Sequence, residues 1–140
     1  MKAIEECRTT RRDPLLSVQE RGRTFVLKNE CRQPVEQVRV DDCLIKAGER
    51  CDWLFELTEP AKRVLFVELK GRDIKHAYEQ LLATIRHLKA GYPGYRLEAY
   101  VVASRNPQTS ASRDLLAKEL ARLGVKLTER NVRLEVSICP

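Results

Sequence analysis

Glu68-Leu69-Lys70 closes the run RVLFVELK (63–70) and sets a carboxylate and an ammonium two residues apart, on one face of a strand. A second carboxylate can join them. The preceding run CDWLFELT (51–58) connects to this one through Glu59-Pro60-Ala61. With Thr58 opposite Lys62 in an antiparallel hairpin, Asp52 falls directly across from Glu68, and a two-residue shift sets it across from Lys70. Either register gathers Asp52, Glu68 and Lys70 on one face, whereas a one-residue slip sends Asp52 to the other. Two carboxylates a few ångströms apart repel each other in a low-dielectric setting, and a hard divalent cation relieves that repulsion. Mg²⁺ is the expected ion, with Mn²⁺ as a substitute. The adjacent ammonium can then hold an anionic phosphate or lower the pKa of an attacking water. The competing reading is a plain salt bridge of Lys70 with Glu68 or Asp52 where the strand emerges.

Positioning this group is the work of the surrounding elements. Four β-rich runs, 24–30, 35–45, 51–58 and 63–70, are separated by Gly, Pro and charged residues and read as a meander of antiparallel strands. Ile74, Ala77, Tyr78, Leu81, Leu82, Ile85 and Leu88 then recur at helical spacing, which predicts an amphipathic helix over 74–90, stopped by Gly91 and Pro93. A strand at 95–104 and a helix near 112–123, with Leu115, Leu116, Leu120 and Leu123 on one side, follow. The last strand, 132–139, alternates Val132, Leu134, Val136 and Ile138 with polar residues. The first 23 residues form a basic segment with no assigned structure. The order β-β-β-β-α-β-α-β implies one α/β domain over 1–140, a central mixed sheet flanked by helices.

Composition bounds the function. A length of 140 residues suits a single core, and a net charge of +6 favours an anionic partner. No run reaches the roughly 18 apolar residues of a membrane span, and the start MKAIEECRTTRRDP lacks the apolar segment of a secretion signal, so a cytoplasmic location is expected. Five scattered cysteines, Cys7, Cys31, Cys43, Cys51 and Cys139, include no C-x-x-C pair and read as reduced thiols. Trp53 and Phe55 read as core residues.

Asp52, fifteen intervening residues, then Glu68-Leu69-Lys70 on a hairpin followed by an amphipathic helix resembles the restriction-endonuclease-like, or PD-(D/E)XK, nuclease superfamily. The resemblance covers roughly residues 35–105. It implies a restriction-endonuclease-like fold and Mg²⁺-dependent hydrolysis of DNA phosphodiesters. It further implies that Asp52 and Glu68 are metal ligands, that the Leu69 backbone carbonyl assists them, and that Lys70 is the catalytic ammonium. Gln80 matches a glutamine that several branches carry on the helix after the motif, and its helical angle puts it at the border of the apolar stripe.

Cys51 stands where the family name has proline, and Thr84 stands where some branches carry tyrosine. The acid usually found on an N-terminal helix has no clear counterpart; Glu20 and Glu30 are candidates, as are Glu5 and Glu6. Arg72, Lys75, Arg86 and Lys89 are candidate contacts to a nucleic-acid backbone. The alternative is a catalytically inactive module of the same fold that binds nucleic acid or a partner protein. A chain this small has little room for a recognition domain, which makes a homodimer or a targeting partner a reasonable expectation.

Overall fold

The computed structural model describes residues 4–41, 43, 51–69, 73–105 and 111–140. Among these residues nine strands and two α-helices follow one another: β1 (Arg8–Arg11), β2 (Leu15–Glu20), β3 (Arg23–Lys28), β4 (Val35–Arg39), β5 (Trp53–Leu57), β6 (Arg63–Leu69), α1 (Ile74–Leu88), β7 (Arg96–Ala103), α2 (Ala111–Arg122), β8 (Val125–Asn131) and β9 (Arg133–Ser137). Six strands form the main sheet in the order β1-β4-β5-β6-β7-β8, and β2-β3-β9 form a second sheet. The main sheet is antiparallel from β1 to β6 and parallel from β6 to β8, with α1 and α2 as the crossovers. The mixed α/β architecture is as expected.

All seven residues of β6 are buried, which marks it as the central strand with both faces covered. Leu54, Val64, Phe66, Ala99 and Val101 pack under the helices with Ile74, Leu81, Ile85 and Leu120. Phe55, Leu65, Val67, Tyr100 and Val102 face the small sheet and meet Leu16, Phe25 and Leu27. There Phe25 stacks on Tyr100 and meets Phe55 edge-on. The helices therefore cover one face of the central sheet and a second sheet covers the other, which corrects the expectation of a single sheet between helices.

The local rules explain most of this. Asp73 caps α1 by accepting a hydrogen bond from the His76 amide at 3.0 Å, and the apolar stripe from Ile74 to Ile85 is buried. In α2 and just past its end, Leu116, Leu120 and Leu123 pack on the core, whereas Leu115, about 100° round the helix from Leu116, is 63% exposed. At the β2–β3 turn Arg21 and Gly22 both take left-handed φ values, 48° and 82°, the geometry of a two-residue hairpin turn.

Two further expectations change. The run 24–30 does not continue a four-stranded meander: its strand β3 pairs with β2 and, in parallel, with β9. The cysteines are not all reduced either, since Cys7 pairs with Cys43 and Cys31 with Cys139, leaving Cys51 as a buried thiol. Cysteine spacing does not encode pairing, and such bonds persist where the surroundings are oxidising. No helix among the described residues is long and apolar enough to cross a membrane.

The Cys31–Cys139 bond closes a 108-residue separation and ties the end of β3 to the chain end after β9. The double substitution Cys31→Ser, Cys139→Ser is expected to lower unfolding free energy by about 2–4 kcal/mol, chiefly by freeing the unfolded chain. Urea denaturation of the oxidised proteins checks this; an unchanged midpoint would refute it.

Candidate active site

The β5–β6 register pairs Trp53 with Val67 and Leu57 with Arg63, so its continuation sets Asp52 across from Glu68. This is the register in which Thr58 faces Lys62. At the rim, however, the strict alternation stops. Cys51 and Leu54 both pack on the helix side, while Trp53 between them packs toward the small sheet. The Asp52 amide donates to the Val67 carbonyl at 3.2 Å, and the Asp52 carbonyl accepts from Val40 at 3.1 Å. Its carboxylate Oδ2 accepts from the Leu69 amide at 2.8 Å. Asp52 is thus wedged between the ends of β4 and β6, with its carboxyl within the electrostatic reach of Glu68, which is 1% exposed.

The location matters because it is the carboxyl edge of the parallel strands β6 and β7, where ligand sites of α/β sheets collect. Burial pushes the Asp52 carboxyl up to about 6; the Leu69 amide opposes this, the negative fields of Glu20 and Asp41 add to it, and the contact with Glu68 opposes it. Acids from four segments, Glu20, Asp41, Asp52 and Glu68, therefore gather at one rim. Glu20 arrives from the small sheet, at the end of β2, as one of the candidates for the N-terminal acid. Glu30 does not: it is exposed beyond the other end of β3, a six-residue strand that spans about 20 Å.

Asp52, Asp41 and Glu20 line a cleft of about 190 Å³ together with Gln19, Arg39, Trp53 and Leu69. Of these, Gln19, Arg39, Asp41 and Trp53 are absent from the sequence-derived site. Asp41 could have been found by extending the β4–β5 pairing, in which Arg39 faces Trp53, past the strand ends. Trp53 departs from the expected core role in part, being half-buried at the cleft, whereas Phe55 is 1% exposed and fully a core residue.

Thr84 tethers α1 to this rim. Its hydroxyl accepts from the Cys51 amide at 2.7 Å and donates to the Gln80 carbonyl at 2.8 Å. Residues four apart share a helix face, so Gln80 lies on the face that Thr84 turns toward position 51. The Gln80 Oε1 is buried and has no hydrogen-bond partner among the described residues. Burial, with the nearby Glu68 and Asp52 charges, pushes the Cys51 thiol up, which keeps it protonated and inert. Thr84→Val leaves the buried Cys51 amide without its acceptor, and a loss of about 1–3 kcal/mol in urea denaturation is expected. A neutral result would remove Thr84 as a tether.

Lys70 and Arg72 lie outside the described residues. Lys75 is exposed in the first turn of α1, next to the edge that carries the acids. Arg86 instead pairs with Glu119 of α2 at 2.7 Å, and Lys89 follows the last turn of α1, roughly 21 Å along the axis from Lys75. Among the described residues, Lys75 is therefore not brought together with Arg86 and Lys89. Arg21 and Arg23, on the hairpin turn that follows Glu20, lie nearer.

Among the described residues no three Asp, Glu, His or Cys side chains converge in a preformed metal group. Mg²⁺ ordinarily keeps several waters and takes only one or two carboxylates. The neighbouring carboxyl groups of Asp52 and Glu68 have the oxygen chemistry to meet that demand. No protein-family model, curated protein or solved structure matches the chain. The class defined here is accordingly one of architecture: a small α/β domain with a mixed sheet and a cluster of acids at the carboxyl edge of its parallel strands.

Proposed function

We propose that this protein is a Mg²⁺-dependent nuclease of the restriction-endonuclease-like, PD-(D/E)XK kind that hydrolyses DNA phosphodiesters. The observation that carries the reading is the hairpin register that brings Asp52 against Glu68 at the end of the central strand. Asp52 and Glu68 would hold the metal with help from the Leu69 carbonyl, and the Leu69 amide fixes the orientation of Asp52. Such an ion, when bound, would supply a more acidic water and neutralise charge on the phosphate. Lys70, next in the chain, offers an ammonium to that phosphate or water. Gln80 contributes a buried polar group from α1, and Glu20 is the accessory acid. Arg72 and Lys75 follow the motif in sequence and suit contacts to flanking phosphates.

The test is direct. The purified protein is incubated with supercoiled plasmid, linear duplex and single-stranded DNA in Mg²⁺, in Mn²⁺ and in EDTA, alongside Lys70→Ala. Cutting that needs the metal and disappears with Lys70→Ala is expected. Metal-dependent cutting that survives Lys70→Ala would overturn the residue assignment. Salt-sensitive binding with no cutting in any metal would make the protein a binding module of the same fold.

A further inference from the structure

We infer that Trp53 is a stacking platform for an unpaired nucleobase beside the phosphate handled at Asp52 and Glu68, so that the preferred substrate is single-stranded or frayed nucleic acid; this rests on the reading above. Trp53 is the chain's one tryptophan. It opens β5 directly after Asp52, packs on the inter-sheet core with part of its surface, and presents the rest to the acid-lined cleft. An aromatic ring held by the core yet open on a charged cleft has little conformational freedom left to lose when a flat group settles on it. Two residues further along the same face, Phe55 does the purely structural work against Phe25.

On β4, the residue paired with Trp53 is Arg39. Arg39 is exposed, lines the same cleft and forms no ion pair among the described residues. A ring with a guanidinium directly opposite matches a nucleotide: the ring takes the base and the cation takes a neighbouring phosphate. Gln19 and Glu20, on the cleft wall, supply polar groups for the edge of a base. In an intact duplex both faces of each base are covered by its neighbours, so the ring can be used only by a base that has left the stack.

Because the chain has a single indole, its fluorescence reports on this position alone. Wild type is titrated in Ca²⁺, chosen to suppress cutting, with a short oligothymidylate, with an abasic strand of equal length, and with a closed hairpin duplex. Quenching by the oligothymidylate, with little response to the other two, is expected. In parallel, anisotropy of a labelled oligothymidylate measures binding to Trp53→Leu, Trp53→Phe and Arg39→Ala. Trp53→Leu should weaken binding by about 5-fold to 150-fold, Trp53→Phe should restore most of it, and Arg39→Ala should weaken it with a shallower salt dependence. Equal quenching by the abasic strand or the duplex would overturn the inference, as would wild-type binding by Trp53→Leu. Quenching without Mg²⁺-dependent cutting would keep the platform and reject the nuclease, while cutting without quenching would do the reverse.

Discussion

Asp52→Asn is expected to lower Mg²⁺-dependent DNA cleavage by roughly three orders of magnitude while making the metal-free protein more stable. The loss follows from removing one of two adjacent carboxylates: a metal site worth several kilocalories to the transition state loses a ligand, and each ~1.4 kcal/mol is a tenfold change in rate. Local geometry should survive, because an asparagine oxygen can still accept the Leu69 amide hydrogen bond. Stability changes in the opposite direction for an electrostatic reason. Burial and the charges of Glu20 and Asp41 raise the Asp52 carboxyl from 3.8 to about 6, so the folded chain holds this proton more tightly than the unfolded chain does. The associated destabilisation is absent below the unfolded value near 3.8, grows as pH rises, and is complete above about 6. Thermal scans in EDTA should therefore give a higher midpoint for Asp52→Asn at neutral pH and converging midpoints near pH 4. Full cleavage by the variant would remove Asp52 from the site; a lower neutral-pH midpoint would show that its charge is neutralised by groups other than those described.

The place of Asp52 beside Glu68 is legible in the sequence because a short loop between two apolar strands leaves few registers, and only one parity puts both acids together. The first helix is legible for a similar reason, since its stripe runs unbroken over four turns. Strands β1 and β8 are not, because RTTR and VKLTERN are polar edge strands whose pairing is set by their neighbours rather than by an apolar pattern. The arrival of Glu20 is harder still. It depends on β3 pairing in parallel with β9, more than a hundred residues later, which seats the β2–β3 hairpin against the main sheet. Nothing in the local pattern around Glu20 contains that contact. Trp53 and Phe55 show the same limit at the scale of two residues. They share a strand and a face, and only the end of the strand, where the second sheet stops covering it, leaves one of them in a cleft.

The opposite end of β6 makes a second strong prediction and separates stability from chemistry. Between the sheets, Glu98 accepts two hydrogen bonds from Arg63, at 2.7 and 2.8 Å, one from Arg96 at 3.1 Å, and one from the Tyr100 hydroxyl. Glu98 is 2% exposed and Arg63 9%, so removing the carboxylate would leave a guanidinium buried without its partner. Glu98→Ala is expected to destabilise the fold by about 3–5 kcal/mol, whereas the paired change Arg63→Met, Glu98→Leu should cost much less. Burial by itself raises the Glu98 carboxyl, but the Arg63, Tyr100 and Arg96 donors overcome it and hold the group at about 2, against an ordinary 4.5. A depressed value means that this stabilisation is fully present above about 4.5 and is lost as pH falls toward about 2. Urea midpoints of wild type should fall over that window more steeply than those of the paired variant. Arg63 is the first residue of β6 and Leu69, whose amide holds Asp52, is the last, so the two clusters sit a strand's length apart. Cleavage per folded molecule should then be unchanged by the paired variant. If it falls, the central strand couples the two clusters, and Asp52 is held by more than the Leu69 amide and the rim around it.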